Sequence, residues 1–220
     1  MTAALPSLSD EALALQTQSG SLEAFEELLL RYEQRIFSFV SQSCRNRIDA
    51  AEITQDTFVK AFQAIGQFDP TRTFAPWLFT IARRKCSDYF RSLKDCSHQP
   101  TPESPPEHES ASQLLDNTDP AELLARQDER RILWIVSRRV LPEAQFDALW
   151  LHYVEDMSVA EIANVLRRPQ TYVKVLLFRA RKTLAQKLKR TCTEAEIPVG
   201  NDAAFLRAKS LPSAYEIIVR

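Results

Sequence analysis

The residues best equipped for chemistry in this chain are cationic, and they are segregated. Between Ile162 and Thr193 stand Arg167, Arg168, Lys174, Arg179, Arg181, Lys182, Lys187, Lys189 and Arg190, with no Asp or Glu among them. Between Asp95 and Glu129 the balance reverses, and the only base among the carboxylates is Arg126. A formal net charge of −1 conceals this separation, which suits a polyanion-binding module beside an acidic connector. A second basic cluster, Arg83, Arg84, Lys85, Arg91 and Lys94, is interleaved with Phe74, Trp77, Phe79, Tyr89 and Phe90. Single-stranded bases stack on aromatic rings while Lys and Arg follow the phosphates. Aromatics at helical spacing are also ordinary core material, so Phe74, Trp77 and Tyr89 remain open between the two roles.

Groups for covalent or metal chemistry do not converge. Cys44, Cys86, Cys96 and Cys192 contain no C-x-x-C pair, and His98, His108 and His152 stand apart in the sequence. No Ser/His/Asp set can be assembled. An enzyme is therefore not expected, and neither is a metal or a cofactor. His108 sits in the acidic connector, and His152, after Trp150-Leu151, reads as a histidine at the edge of a core. Met1 to Asp10 has no basic start and no apolar run of signal-peptide type. The longest apolar runs are too short to cross a bilayer. These features predict a cytoplasmic protein.

The elements that must position the basic residues are helices. Only 3 Gly occur in 220 residues, too few for the tight turns of sandwiches, barrels or doubly wound sheets. The fold class expected is all-α, with two small helical domains joined by a flexible acidic linker. A first helix starts at Ser9 and runs to about Gln18, where Gly20 breaks it. A second starts at Ser21 with Phe25, Leu28, Leu29, Tyr32, Ile36, Phe39 and Val40 on one face. A third starts at Asp49, with Glu52 completing a capping box, and faces the core with Ile53, Phe58, Val59, Phe62 and Ile65. Gln67 to Thr73, containing Asp69-Pro70, is a loop. A fourth helix spans Phe74 to about Ser92, with Phe74, Trp77, Leu78 and Ile81 inward.

Lys94 to Asn117, rich in Pro, Ser and Glu, reads as the linker. Asp119-Pro120 opens a fifth helix ending near Arg139, and Pro142 a sixth ending near Val154. Ser158-Val-Ala-Glu161 caps a short helix to about Leu166. After the turn Arg167-Arg168-Pro169, a last helix runs from Gln170 to about Arg190. A short capped helix, a three-residue turn and a long basic helix form a helix-turn-helix, whose second helix enters the major groove of DNA.

In order along the chain, these segments resemble a bacterial RNA polymerase sigma factor of the sigma-70 family, extracytoplasmic-function type. Asp49-Ala-Ala-Glu-Ile-Thr-Gln-Asp-Thr-Phe-Val-Lys-Ala-Phe62 is similar to the family's polymerase-binding segment. Phe68-Asp-Pro70, Phe74-x-x-Trp-Leu-x-x-Ile-Ala-Arg83 and Asp88-Tyr-x-Arg91 resemble its minus-ten and melting segments. Leu141-Pro142, Ser158-x-x-Glu-Ile-Ala163, Val173-Lys174 and Arg179-Ala-Arg181 resemble region 4, the minus-thirty-five reader. The resemblance divides the chain into region 2 (1–94), linker (95–118), region 4 (119–190) and a tail of unknown role (191–220).

The resemblance also implies roles. Asp49, Glu52, Gln55, Asp56, Phe58 and Val59 would bind polymerase, although Phe58 could equally be core. Asp69, Arg72, Phe74, Trp77, Arg83, Arg84, Lys85 and Arg91 would serve minus-ten recognition and melting, with a pocket for an extruded base around Gln67 to Thr73. Arg168, Gln170, Thr171, Tyr172, Lys174, Val175, Arg179, Arg181 and Lys182 would bind DNA in the helix-turn-helix. The implied partners are core RNA polymerase (β′ and β subunits) and promoter DNA, with an anti-sigma factor as a further candidate.

Three departures from the family pattern stand out. Arg84 occupies a position usually Asn. Arg167-Arg168 fills a turn that usually holds Gly and an apolar residue. Val175-Leu176 replaces a polar pair, and such side chains can only touch thymine methyls or face the domain's own core. The competing reading is a helix-turn-helix regulator acting without polymerase. The segment Asp49 to Phe62 discriminates, since a sensing or dimerising bundle has no use for it.

Overall fold

The computed structural model describes residues 5–44, 46–96 and 133–194. The elements are α1 (Asp10–Gln18), α2 (Leu22–Ser41), α3 (Arg47–Ala64), α4 (Phe74–Cys96), α5 (helical over 133–140), α6 (Glu143–Tyr153), α7 (Val159–Leu166) and α8 (Gln170–Glu194). Short 3-10 turns lie at Leu5–Ser7 and Ile65–Gln67. No strand occurs among the described residues. The chain divides into two compact units, one built on α1 to α4 and the other on α5, α6 and α8.

Hydroxyl caps start the first two helices. Ser9 Oγ accepts from the Ala12 amide and Ser21 Oγ from the Ala24 amide, each at 3.2 Å. Between them the chain turns through Gly20 at φ +100°, a left-handed conformation that L side chains avoid. The Ser21 amide reaches back to the Gln16 carbonyl and the Gly20 amide to the Thr17 carbonyl, closing a Schellman-type end.

The third helix begins earlier than the sequence suggested. Its cap is Asn46, whose Oδ1 accepts from the Asp49 amide at 2.8 Å while its Nδ2 donates to Asp49 Oδ2 at 3.0 Å. The reciprocal pair is thus Asn46 with Asp49, three residues upstream of the expected Asp49 with Glu52. The fourth helix ends later, so Asp95 and Cys96, expected in the linker, belong to α4. The rest of the linker (97–118), the start of the fifth helix (119–132) and the tail from 195 lie outside the described residues. The last helix extends to Glu194.

The N-terminal core is a stack of apolar faces. Leu28, Tyr32, Ile36, Phe39 and Val40 of α2 meet Ala50, Ile53, Phe58 and Ala61 of α3 and Phe74, Leu78, Phe79 and Ala82 of α4, all buried. Each large side chain buried this way contributes about 1.5–3 kcal/mol. Phe39 and Phe79 meet edge to face at 5.4 Å and join α2 to α4. Arg31 of α2 ties down the N-terminal stretch, bridging Asp10 at 2.7 Å and Glu27 at 2.8 Å and donating to the carbonyls of Pro6 and Leu8.

In the second unit α6 packs on α8. Phe146, Leu149, Trp150 and Leu151 are buried, and Trp134 of α5 stacks edgewise on Trp150 at 4.9 Å. His152 is half-buried, with Nδ1 3.0 Å from the Met157 carbonyl, a core-edge position. The expected capping box forms. The Ser158 amide donates to Glu161 Oε2 at 2.9 Å and the Glu161 amide to Ser158 Oγ at 3.3 Å.

Candidate nucleic-acid interface

The outward face of α3 carries Glu52, Gln55, Asp56 and Val59, all exposed. Helical periodicity places them together, because the buried residues Ala50, Ile53, Thr54, Thr57 and Ala61 occupy the opposite side. Two side chains of α4 brace this face from one edge. Lys85 Nζ donates to Asp56 Oδ2 at 2.9 Å, and the Tyr89 hydroxyl donates to Asp49. Burial and that bond push the Tyr89 phenol above its usual range. Asp49 is therefore a structural link as well as a surface group.

Phe58 does not belong to the exposed set. Only 6% of it is accessible. Conversely, Val59 and Phe62, expected in the core, are exposed at 50% and 42%. Phe62 packs edgewise on Phe25 of α2 at 5.0 Å. Phe25, Leu29, Phe37, Phe58, Val59 and Phe62 line an open groove of about 850 Å³ between α2 and α3. This groove lies on α2 and α3, apart from the loop 67–73.

The loop before α4 is held by α1, a role the sequence did not signal. Gln18 Nε2 donates to the carbonyls of Ile65 and Phe68, each at 2.7 Å. Glu11 Oε1 accepts from the Phe74 amide at 3.1 Å and so caps α4 from a distant helix. Within the loop Asp69 closes an Asx turn, accepting from the Thr71 hydroxyl at 2.7 Å and the Thr71 amide at 3.0 Å. Those bonds, with Arg72 close by, hold the Asp69 carboxyl below its usual pKa. Asp69, Pro70, Thr71 and Arg72 are all exposed.

Phe74 is core and cannot touch a strand. It is 1% accessible, enclosed by Tyr32, Phe68 and Trp77 at ring distances of 5.4–5.5 Å. Trp77 keeps one side open, since it is only half-buried on that cluster. Along α4, Arg84 and Arg91 are exposed, Arg91 lying 3.3 Å from Asp88. Arg83 and Lys85 are half-buried, and Lys85 leans toward α3.

In the helix-turn-helix, Arg167 sits at φ +52°, the conformation for which Gly is the usual residue. Arg168 extends over the Tyr172 ring at 5.6 Å. Val173, Leu176, Leu177, Ala180 and Leu184 are buried, so the opposite side of α8 is the open one. Gln170, Thr171, Tyr172, Lys174, Val175, Arg179 and Lys182 are all exposed there. Arg181 is half-buried and folds back toward the Leu177 carbonyl at 3.4 Å. Leu176, open between core and DNA in the sequence, is core at 4%. Phe178, which the sequence did not single out, is 62% exposed.

Comparison with known proteins places these features in a family. Residues 28–95 match Sigma-70 region 2, and residues 139–184 match Sigma-70, region 4; the two together span just over half the chain. The RNA polymerase sigma-H factor of Pseudomonas aeruginosa is 28% identical over 188 residues, covering 84% of this chain and 97% of that protein. The ECF RNA polymerase sigma-E factor of Escherichia coli (strain K12) is 27% identical over 184 residues, covering 83% and 95%. The solved complex of CnrH with the cytosolic domain of CnrY aligns with a TM-score of 0.59 at 26% identity, over 82% of this chain and 97% of that one.

Proposed function

This chain belongs to the sigma-70 family as an extracytoplasmic-function sigma factor, and we propose how its two units share the work of initiation. Sigma factors direct core RNA polymerase to promoters and open the DNA there; that is the function of this chain. The division of labour rests chiefly on one observation. A polar, acidic face on α3 and a basic, aromatic face on α4 are built on one braced pair of helices.

Glu52, Gln55, Asp56 and Val59 dock core polymerase, with Asp49 at the edge of the contact and Phe58 supporting it from beneath. The loop 67–73 and the outer side of α4 take the opened strand. Trp77 offers a stacking face, while Arg83, Arg84 and Arg91 neutralise phosphates. Extruding a base costs a few kcal/mol, so a loop held in place beforehand by Gln18 lowers the ordering cost of opening. In region 4, Arg168, Lys174, Arg179, Arg181 and Lys182 supply affinity through phosphate contacts, and Gln170, Thr171, Tyr172 and Val175 meet base edges.

Region 2, connector, region 4 and tail follow one another in this reading, region 2 running to Cys96 with α4 and region 4 to Glu194 with α8. No described helix is long and apolar enough to cross a membrane, in keeping with work in the cytoplasm beside polymerase. CnrH was solved in complex with the cytosolic domain of CnrY. A corresponding anti-sigma factor for this chain would find an apolar foothold in the groove between α2 and α3. A regulator acting without polymerase has no need of the α3 face.

Run-off transcription with purified core polymerase and a promoter library tests the reading. Promoter-specific transcripts that require the added chain are expected. A chain that binds duplex DNA but neither assembles with core nor starts transcripts would overturn it.

A further inference from the structure

The reading face of α8 has an apolar centre. Val175 is 41% exposed and Phe178 62%, and they stand three residues apart, one above the other on the same side of the helix. The fold has no use for either. Val173, Leu176, Leu177, Ala180 and Leu184 already fill the buried side. Tyr172, the next exposed ring on the N-terminal side, is covered by the Arg168 guanidinium at 5.6 Å. Around the pair the exposed side chains are Thr171, Lys174, Arg179 and Lys182, and no carboxylate occurs in α8 before Glu194. A cationic rim around an apolar centre fits duplex DNA better than a protein or lipid surface, because the rim matches phosphates on both sides of a groove.

Within the major groove only one base-edge group is apolar, the C5 methyl of thymine. A hydroxyl or amide at these positions would bond a base edge; a valine and a phenylalanine cannot. We propose that Val175 and Phe178 determine specificity in the upstream promoter element by packing against thymine methyl groups, so that this chain reads the centre of that element through methyls rather than hydrogen bonds. The proposal rests on the sigma reading above and adds the chemical class of base that the helix selects. Gln170, at the helix start, is left to hydrogen-bond a neighbouring base.

Deoxyuridine differs from thymidine at this edge only by the missing methyl, which makes it the direct probe. Holoenzyme formed from the full chain and core polymerase is first used to select upstream sequences from a randomised promoter library. Each thymine of the selected element is then replaced singly by deoxyuridine, and affinity is measured. One or two replacements should weaken wild-type binding about fourfold each. With Val175→Ser and Phe178→Gln holoenzymes, the same replacements should have little effect, and reselection should lose the thymine preference. Both positions are exposed, and a thermal melt of each variant confirms that it folds.

If uracil at every upstream thymine leaves wild-type affinity unchanged, while Lys182→Ala still weakens binding, the methyl reading is overturned and the sigma reading stands. If the variants instead lose core assembly with DNA binding intact, the pair is a protein contact and the proposal is again overturned. A holoenzyme that selects no upstream sequence removes the sigma reading of α8, and the proposal with it.

Discussion

Lys85 Nζ lies 2.9 Å from Asp56 Oδ2, joining a residue assigned to the DNA side of region 2 to one assigned to the polymerase side. The side chains are 31% and 57% exposed, so the pair contributes less than about 1 kcal/mol to the fold. Its importance is positional. It fixes Asp56 at the α4 edge of the polymerase face and turns Lys85 away from the outer side of α4, where Arg84 and Arg91 stand free of α3.

Asp56→Asn should therefore separate binding from stability. Removing a charged hydrogen-bonding group from a polymerase contact should weaken core affinity about tenfold or more. The melting temperature should move by only a few degrees. Lys85→Ala keeps the carboxylate but removes its brace, so it should weaken core affinity by less than Asp56→Asn does. Titration of labelled core polymerase with each variant, alongside thermal melts, checks both. Equal core affinity for Asp56→Asn and wild type would remove Asp56 from the interface.

Gln18→Ala should impair promoter opening more than promoter binding. It deletes two bonds to the carbonyls of Ile65 and Phe68 that hold the melting loop, at a cost of about 1–3 kcal/mol. Permanganate reactivity of promoter thymines should fall, while closed-complex affinity for duplex promoter changes little. Unaltered reactivity would mean that the loop is positioned without α1.

Such a role has no trace in the sequence near Gln18, because its partners lie 47 and 50 residues away. Local capping signals are legible in the sequence. Ser9 and Ser21 announce helix starts because a hydroxyl before an apolar period has a backbone job to do. Asp49 with Glu52 resembled a capping box closely enough to mask Asn46 with Asp49, one turn earlier. Val59 and Phe62 fit the apolar period of α3 yet lie outside the core, since periodicity marks apolar faces without saying which of two is covered. Val175 and Leu176 show the same limit: adjacent residues point about 100° apart on a helix, and only the packing decides which one is reached by DNA.

The N-terminal unit should lose stability at alkaline pH through Tyr32. Burial, and donation to Asp10, push this phenol well above its usual value. The unfolded chain ionises it near pH 10, while the folded chain keeps it protonated. Above that pH the unfolded state binds fewer protons, so stability falls as pH rises. The contribution is complete below about pH 10. Tyr32→Phe should cost about 1 kcal/mol at neutral pH and flatten the alkaline decline. Urea melts between about pH 8 and pH 11 measure both effects; an unchanged slope in the variant would assign the decline to other groups.

Arg167→Gly should stabilise the helix-turn-helix while weakening its hold on DNA. Arg167 holds φ +52° in the turn between α7 and α8, and a side chain there costs about 1–2 kcal/mol relative to relaxed backbone. Glycine removes that strain but adds freedom to the unfolded chain, which returns about 0.5–1 kcal/mol. A small net gain remains, seen as a rise of a few degrees in melting temperature. Arg167 is exposed beside Arg168, at the entry to the reading helix, where a guanidinium reaches phosphates. Losing it should weaken all duplexes alike and reduce the salt dependence of binding by about one unit of slope. The two effects have opposite signs, which separates them from general damage to the module. A variant that melts lower than wild type would show that the arginine is held in the turn by interactions worth more than the strain. A variant with unchanged salt slope would show that Arg167 makes no phosphate contact.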